Sequence, residues 1–381
     1  MSEFSILPPL SLYIHIPWCV RKCPYCDFNS HTSDNIPEQQ YIDTLLIDLE
    51  QILPEVWGRR LVSIFIGGGT PSLFSADSIN KLISAVRARM SCIANIEITM
   101  EANPGTFEQE KFKLFNEAGI NRLSIGIQSF DNNKLKKLGR IHNSEEAIAS
   151  VQMAKAAGFD NINLDLMFGL PEQTLQQGLL DLQTAINLNP THISWYQLTI
   201  EANTFFHTQP PPLPDDDSIW QLQHQGQSLL KHAGFSQYEI SAYAQKNKTC
   251  RHNLNYWQFG DYLAIGAGAH GKISRADTQS IKRYWKLRQP QAYLAASDHN
   301  SGEQTLGEKD IVFEFMLNAL RLKQGFDLEL FEQHTGLPRE KILPACEQAI
   351  KKDLLMQSGN HLKPTELGYR FLNDLINLFE C

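Results

Sequence analysis

Between residue 11 and about residue 200, short apolar segments rich in β-branched side chains alternate with longer segments of helical period. The apolar segments predict strands at residues 12–16, 61–66, 96–100, 122–127, 161–167 and 193–198. The helical segments lie near residues 38–53, 75–90, 107–118, 144–157 and 172–188, and Gly119 and Gly158 stand where two of them should end. Six β–α units in series favour an α/β fold, a partial (β/α)6 TIM-like barrel with helices outside a parallel sheet. We therefore expect functional side chains at the carboxyl ends of the strands.

A proline-rich and then acidic segment at residues 207–217 marks the end of this barrel. We predict a partial barrel at 1–205, a region at 206–304 that completes it, and a C-terminal helical domain at 305–381. Three helices, a short hairpin and a final helix make the last part resemble a winged-helix module. Acidic residues outnumber basic ones there, which predicts a structural or partner-binding role rather than DNA binding. The run from Asp215 to Asp217 favours a helix N-terminus over a calcium site.

Composition narrows the class of protein further. The 381 residues include 34 Lys and Arg against 42 Asp and Glu, and the net charge of −8 argues against nucleic-acid binding. No apolar run approaches the roughly 18 residues that a transmembrane helix needs, and the first residues lack the basic and apolar regions of a signal peptide. We therefore expect a cytoplasmic protein without an integral membrane segment, in a compartment where disulfides are rare.

Three of the seven cysteines, Cys19, Cys23 and Cys26, follow the first predicted strand. In a cytosolic chain this crowding indicates a metal or cluster site. A structural zinc site would need four ligands, and His15 or His31 could complete it. Three thiolates on a four-iron cluster would instead leave one iron open for an exchangeable ligand. The spacing leaves both interpretations open.

The segment from Tyr13 to Cys26, Tyr-Ile-His-Ile-Pro-Trp-Cys-Val-Arg-Lys-Cys-Pro-Tyr-Cys, resembles the signature of radical S-adenosylmethionine (SAM) proteins. More narrowly, it resembles the oxygen-independent coproporphyrinogen III dehydrogenase family, and the resemblance covers nearly the whole chain. It implies a radical SAM barrel with a [4Fe-4S] cluster on the three cysteines. It also implies that SAM binds the open iron through its amino and carboxylate groups, and that Tyr13 and the backbone at Tyr25 hold the nucleotide.

Residues 67–71, Gly-Gly-Gly-Thr-Pro, follow the second predicted strand. By themselves they predict a tight turn whose backbone amides can approach an anionic group closely. The order of residues is not that of a Rossmann or P-loop motif, so nucleotide phosphates are not implied. The resemblance assigns Gly68, Gly69 and Thr70 to the methionine end of SAM.

Single polar residues mark the ends of later strands or the segments that follow them: Glu101, Gln128, Arg140 and Asp165. An acid within an apolar strand is costly if unpaired, so Asp165 needs a donor, which a salt bridge with Arg140 would supply. The resemblance instead assigns all four residues to SAM, whose ribose and amino donors the carboxylates would accept.

Two features depart from the dehydrogenase pattern. Asp27 and Phe28 follow Cys26, where the dehydrogenase has a further cysteine in Cys-x-Cys form, and the segment before Tyr13 is shorter. Both departures weigh against decarboxylation of a porphyrinogen.

Residues 251–257, Arg-His-Asn-Leu-Asn-Tyr-Trp, form a second candidate site. In a helix, His252 and Tyr256 share one face, and Asn253 and Trp257 share the next. The residues alone allow two interpretations, a packed aromatic cluster around a histidine or an axial haem ligand flanked by stacking rings. Three basic residues stand close enough in sequence to pair with haem propionates: Lys246, Lys248 and Arg251.

The pattern His-Asn-x-x-Tyr-Trp is similar to the hallmark of HemW-type haem chaperones, which were formerly grouped with the coproporphyrinogen III dehydrogenase. The resemblance implies haem binding by His252, Asn253, Tyr256 and Trp257. Cys250 and His270 are weaker candidates for further haem contacts. No Cys-x-x-Cys-His occurs, so c-type attachment is not indicated.

The sequence therefore predicts a haem chaperone that carries a [4Fe-4S] cluster, SAM and haem, with no catalytic residue assigned. It would pass haem to an acceptor protein. A second copy of the chain is another candidate partner, which would form a homodimer. The main alternative is a radical SAM oxidoreductase that acts on a porphyrinogen. A zinc-stabilised interaction protein is a third interpretation.

Overall fold

The computed structural model describes residues 4, 6–33, 35–105 and 109–380. The strands are β1 Leu10–Ile16, β2 Trp18–Cys19, β3 His31–Thr32, β4 Leu61–Gly68, β5 Cys92–Ala102, β6 Arg122–Gln128, β7 Ile162–Phe168, β8 His192–Gln197, β9 Ser236–Gln237, β10 Ala242–Ala244, β11 Asp261–Ile265, β12 His270–Arg275, β13 Ser280–Lys286, β14 Asn300–Thr305, β15 Phe326–Asp327, β16 Leu355–Ser358 and β17 His361–Pro364. The helices are α1 Glu38–Ile52, α2 Ala76–Arg89, α3 Gln109–Glu117, α4 Asn132–Lys137, α5 Ser144–Ala156, α6 Leu175–Asn187, α7 Phe205–Thr208, α8 Asp216–His232, α9 Arg251–Trp257, α10 Pro290–Ala295, α11 Glu308–Ala319, α12 Leu328–Thr335, α13 Leu343–Lys351, α14 Glu366–Arg370 and α15 Leu372–Asn377. The first two residues of the helix predicted at 107–118 lie outside the described residues.

Within the described part of the chain, twelve strands form one sheet in the order β14-β13-β12-β11-β1-β4-β5-β6-β7-β8-β10-β9. Strands β1, β4, β5, β6, β7 and β8 pair in parallel and follow one another in chain order. They coincide with the six predicted strands, so the predicted α/β partial barrel is confirmed. Because the strands are parallel, their carboxyl ends meet at one end of the barrel.

The region after the barrel extends the sheet at both edges. Strand β11 pairs in parallel with β1, with Asp261 opposite Leu10, and β12, β13 and β14 continue from it as an antiparallel meander. At the other edge β10 pairs antiparallel with β8, and β9 with β10. Helix α9 precedes β11 and packs against β1 and β4.

Helix ends follow the local sequence signals. Gly119 and Gly158 lie two residues after the ends of α3 and α5, with φ of +101° and +90°, a conformation that glycine adopts at little cost. Asp215 precedes α8, and its carboxylate accepts a hydrogen bond from the amide of Ser218 at 2.8 Å. The acidic run is therefore a helix cap, as predicted.

A buried carboxylate ties α1 to the added strands. One oxygen of Asp48, on α1, lies 2.5 Å from Nζ of Lys286 on β13. The other accepts from the hydroxyl of Tyr293 at 2.6 Å and from the amide of Gly266 at 3.2 Å. A buried charge is costly without such partners, so this group fixes the position of the meander on the barrel.

The C-terminal part supplies most of a second hydrophobic core, from α11, α12, α13, α15 and the small sheet of β15, β16 and β17, and Phe4, Phe259 and Ile281 join it. Strands β16 and β17 pair antiparallel as the predicted hairpin, after α11, α12 and α13. The winged-helix-like order of elements is confirmed, and the domain boundaries at residues 205 and 304 stay a prediction. No helix among the described residues is both long and apolar enough to cross a membrane.

Candidate functional site

The loop between β1 and α1 carries the three cysteines. The amide of Cys26 donates to the carbonyl of Cys23 at 3.1 Å, which turns the loop back on itself. All three thiols are half-buried, and burial raises the pKa of Cys19 and of Cys26. Their polar neighbours are Thr70 Oγ1, 3.5 Å from Cys19 Sγ, Arg140 Nη1, 3.7 Å from Cys23 Sγ, and Ser30 Oγ, 3.8 Å from Cys26 Sγ.

The glycine turn after β4 holds this loop against the sheet. A side chain at Gly69 would overlap the backbone of Trp18, so only glycine allows the close approach. The amide of Gly69 donates to the last carbonyl of β1 and that of Thr70 to the carbonyl of Trp18, both at 2.7 Å. The amide of Gly68 donates to Oε2 of Glu101 at 3.0 Å. The amides that we expected to face a ligand therefore donate to acceptors within the chain. The turn positions the cysteine loop by packing against it.

Two carboxyl groups lie close together beyond the glycine turn. Burial and the charge of Asp165 raise the pKa of Glu101 to about 8, although the amide of Gly68 opposes the shift. Burial also raises the pKa of Asp165, whose oxygens accept from Ser124 Oγ at 2.9 Å and Asn163 Nδ2 at 2.8 Å. A ligand that brings amino or hydroxyl donors would stabilise the charged form of both groups.

The expected salt bridge between Arg140 and Asp165 is wrong. Nη2 of Arg140 donates to Oδ1 of Asn103 at 2.5 Å and to the carbonyl of Gly126 at 2.7 Å. Asp165 needs no cation as a direct partner because polar side chains of β6 and β7 already donate to it.

Gln128 ends β6 in a conformation that few side chains adopt, with φ of +69°. The pairing of β6 with β7 shifts register between Gly126 and Gln128, and such bulges re-aim side chains at functional sites. The side-chain carbonyl of Gln128 accepts from the hydroxyl of Tyr196 at 2.8 Å. The strain at this strand end is thus held by a tertiary hydrogen bond.

These side chains line one cavity of about 280 Å³, which we call the cysteine cavity. Ten of the predicted residues line it: Cys19, Cys23, Tyr25, Cys26, Gly68, Gly69, Glu101, Gln128, Arg140 and Asp165. Thr70 lines a small adjoining pocket. Sequence reasoning missed further lining residues, which lie within barrel strands or directly after one: Asn103, Ser124, Gly126 and Tyr196.

Tyr13, expected beside the nucleotide of SAM, lies elsewhere. It lines a second cavity, on the other side of the cysteine loop, and its hydroxyl lies 2.9 Å from Nδ1 of His15. The reason is its position inside β1, where the side chain points toward the ring of Phe65 on the neighbouring strand, at a centroid distance of 6.3 Å.

The donor set of the cysteine cavity fits an iron–sulfur cluster with SAM. Three thiol sulfurs around one cavity are the soft ligands that such clusters use, and the carboxyl, amide and guanidinium groups beside them suit a polar cofactor. Bound together, a reduced cluster and SAM supply a carbon-centred radical by cleavage of SAM. Among the described residues, no three His, Cys, Asp or Glu side chains converge as ligands of a single metal ion.

The two histidines considered as a fourth zinc ligand are both bound to Asn29. Nε2 of His15 lies 2.8 Å from the carbonyl oxygen of Asn29, and Nε2 of His31 lies 3.2 Å from its side-chain oxygen. They fix the end of the cysteine loop.

A carboxylate on β5 caps the N-terminus of helix α9. Glu97 is buried and accepts from the amides of Arg251 and His252, both at 3.1 Å. The thiol of Cys250 is fully buried and lies 3.5 Å from the same carboxylate, so it is not exposed for a haem contact. Nδ2 of Asn255 donates to a hydroxyl on β1 and to the first carbonyl of β11, both at 2.9 Å. The helix is therefore fixed to the sheet along its length.

His252 is 8% exposed, and its ring packs 5.1 Å from that of Phe65. Nδ1 lies 3.1 Å from Oγ of Ser63, and no described residue hydrogen-bonds Nε2. Burial, with the charge of Arg122, lowers the pKa of His252 to about 3. A neutral imidazole oriented through one nitrogen is the form in which histidine binds a metal through the other.

Helix α9 faces the second cavity, of about 630 Å³, which we call the aromatic cavity. Cavities that hold small ligands and cofactors measure about 300–1,000 Å³. The four residues predicted for haem all line it: His252, Asn253, Tyr256 and Trp257. The sequence missed several other lining residues, Phe65, Tyr262 and Arg288 among them.

The basic residues expected to flank haem lie away from this cavity. Arg251 donates to the carbonyl of Asn95 at 2.7 Å, and Nζ of Lys248 lies 4.0 Å from the carboxylate of Asp160. Neither they nor Lys246 line the aromatic cavity, whereas Arg288 does. The expectation was wrong because closeness in sequence to His252 does not place a side chain in the cavity. Arg251 contacts β5, and Lys248 contacts Asp160.

Phe28 lines both cavities and is 60% exposed. It occupies the position where the sequence departs from the Cys-x-Cys pattern. Its side chain therefore borders both the cysteine cavity and the aromatic cavity.

Comparison with known proteins agrees with this geometry. Residues 13–182 match the model of the radical SAM superfamily, and residues 306–371 match that of the HemN C-terminal domain. The coproporphyrinogen III oxidase (HemN) of Escherichia coli has a similar structure, with a TM-score of 0.82 and 22% identity over 98% of this chain and 90% of that one. At this identity the likeness shows the fold.

Three relatives named heme chaperone HemW align with nearly the whole chain. The protein of Haemophilus influenzae is 52% identical over 98% of both chains, and that of Escherichia coli is 49% identical over the same shares. The protein of Bacillus subtilis is 33% identical over 97% of this chain and 98% of its own. The chain therefore belongs to the HemW family and carries the radical SAM superfamily domain.

Proposed function

We propose that this protein is a haem chaperone of the cytoplasm, which binds haem in the aromatic cavity and passes it to an acceptor protein. The observation that carries the proposal is the aromatic cavity itself. It gathers His252, Asn253, Tyr256 and Trp257 around a space suited to a cofactor, in a chain whose relatives are named haem chaperones.

We further propose that the cysteine cavity holds a [4Fe-4S] cluster on Cys19, Cys23 and Cys26, with SAM at the open iron. The carboxyl groups of Glu101 and Asp165 would accept donors of SAM, and Gln128 and Arg140 would complete its surroundings. Because Phe28 and Asn29 belong to the loop that carries the cysteines and also line the aromatic cavity, the state of the cluster would influence haem binding or dimer formation.

The direct test is a haem titration of the anaerobically reconstituted protein, followed by absorbance, beside His252→Ala. The exposed His232→Ala on α8 serves as a matched control. We expect one haem per chain in the wild type and the control. In His252→Ala we expect an altered spectrum and an affinity lower by about tenfold or more. Absence of saturable binding in the wild type would overturn the proposal.

The alternative function, oxidation of a porphyrinogen by a SAM-derived radical, gives a different product. Coproporphyrinogen incubated with the reduced, SAM-loaded protein should remain unchanged if the protein is a chaperone. Conversion to protoporphyrinogen would establish the enzyme instead.

A further inference from the structure

His270 stands at a fixed place in the wall of the aromatic cavity. It is the first residue of β12 and follows a turn in which Gly266 and Gly268 have φ of +104° and +81°, values that favour glycine. The amide of Gly268 donates to the carbonyl of Leu287 at 2.8 Å, and a side chain at Gly268 would overlap Asn29. The turn therefore leaves His270 little freedom of position.

The imidazole of His270 is exposed and has no hydrogen bond from any described residue. Its ring stacks on that of Trp285, with centroids 6.3 Å apart and an interplanar angle of 26°. Partial burial of the ring, with the charges of Arg283 and Arg288, lowers the pKa of His270, which favours the neutral form. Both nitrogens are thus free to meet a ligand, and the ring lines the same cavity as His252.

Arg288 lines the aromatic cavity and forms no ion pair with a described residue. Its neighbour Arg283 is bound to the carboxylate of Glu314 and the hydroxyl of Tyr262. No carboxylate among the described residues forms an ion pair with Arg288, which is exposed at the rim. An unpaired guanidinium at the mouth of an apolar cavity suits a carboxylate on the ligand.

One side chain holds the two residues together. Nδ2 of Asn29 donates to the carbonyl of Ala267, in the turn before His270, at 2.9 Å and to the carbonyl of Arg288 at 2.8 Å. The backbone segments that carry His270 and Arg288 are therefore tied to each other, which brings both side chains to the same cavity.

We propose that His270, together with His252, would bind the haem iron, and that Arg288 would pair with a haem propionate. This inference rests on the proposed function. It adds a second ligand of the haem iron and a cation for a haem propionate, neither of which the residues of α9 supply. Haem would then be held at the iron by residues from α9 and β12, and at its carboxylate edge by the segment after β13.

The test of His270 is the spin state of ferric haem in the full-length, reconstituted protein, read by electron paramagnetic resonance. The wild type and His232→Ala should show a six-coordinate, low-spin haem. His270→Ala should show a five-coordinate, high-spin haem bound about tenfold more weakly, and added imidazole should restore the low-spin signal. A merely structural role would not give this rescue.

The test of Arg288 compares haem with haem dimethyl ester, whose propionates carry no charge. Arg288→Ala should weaken haem binding about fivefold and leave the ester unchanged. Arg275→Ala, which removes a surface arginine paired with Asp277, should change neither.

The outcomes separate the two proposals. If the wild type binds no haem, the proposed function fails. If the wild type binds haem but His270→Ala keeps its low-spin signal, or Arg288→Ala weakens both ligands equally, haem binding stands and the corresponding assignment made here is overturned.

Discussion

At the scale of single residues, the two buried carboxyl groups of Glu101 and Asp165 determine how the charge of the cysteine cavity changes with pH. Glu101 and Asp165 are close enough that the charge of one disfavours the charge of the other. Without a ligand, Glu101 holds its proton up to a pH of about 8. A donor from SAM would relieve this repulsion, so the pair is poised for a ligand that brings hydroxyl or amino groups.

The first prediction concerns Glu101→Gln in the protein without cofactors. Because the pKa of Glu101 is raised to about 8, the folded wild type keeps a proton that the unfolded chain loses above about pH 4.5. The free energy of unfolding of the wild type therefore falls as the pH rises from there through about 8. Glutamine removes this fall and should be more stable by about 1–3 kcal/mol at pH 9.

Urea unfolding at pH 5, 7 and 9 measures this difference. The exposed Glu145→Gln on α5 serves as the control and should follow the wild type. A Glu101→Gln variant that loses its advantage as the pH rises would contradict the assignment of a raised pKa.

Most residues predicted for the cysteine cavity line it, because they lie in strands of the parallel sheet or in the loops that follow them. Glu101 and Gln128 directly follow predicted strands and Asp165 lies inside one, but their assignment to SAM came from the resemblance and stays a prediction. Arg288 could not be found from the sequence, because it is far in sequence from every motif and only the meander brings it to the cavity. The structure places Tyr13 in the aromatic cavity, and a motif does not show which of two cavities a strand residue faces, so its assignment to SAM stays a prediction.

At the scale of elements, helix α9 depends on strands that are distant in sequence. The carboxylate of Glu97 on β5 supplies acceptors for its first amides, and Asn255 binds it to β1 and β11. The spacing of His252 and Tyr256 suits one face of a helix, whereas this cap, 154 residues away from Arg251, was beyond any local signal.

The second prediction is that Glu97→Ala lowers the free energy of unfolding by about 2–4 kcal/mol. It removes the cap of α9 and an anionic neighbour of the buried Arg122. Because His252 is the second residue of the helix, haem affinity should fall as well. Chemical denaturation and a haem titration measure the two effects.

Glu97→Gln keeps one acceptor oxygen and should fall between Glu97→Ala and the wild type. Glu117→Ala, at an exposed position of α3, should change stability by less than about 0.5 kcal/mol. Equal stability of Glu97→Ala and Glu117→Ala would show that the cap does not hold α9.

At the scale of the whole molecule, the barrel and the meander form one sheet, and the aromatic cavity lies where they meet. The alternation of apolar and helical segments predicted the six barrel strands. The sequence did not reveal that β11 would pair beside β1, because short strands such as Asp261–Ile265 owe their pairing to tertiary contacts. The buried group around Asp48 is one such contact.

The third prediction is that Asp48→Asn lowers the free energy of unfolding by about 3–5 kcal/mol, since it leaves Lys286 buried without its counter-charge. Asp43→Asn, on the same helix, removes only an exposed ion pair with Lys81 and should cost about 1 kcal/mol or less. Denaturant unfolding of both variants measures the difference. Similar losses in the two would mean that Asp48 does not hold the meander.

The central claim is that haem and the cluster occupy separate cavities on either side of Phe28. Anomalous scattering of iron in crystals of the haem-loaded, reconstituted protein tests it most directly. We predict one iron peak beside His252 and His270 in the aromatic cavity, and a second, larger one at Cys19, Cys23 and Cys26. Haem iron located in the cysteine cavity, or on the surface away from α9, would contradict the account.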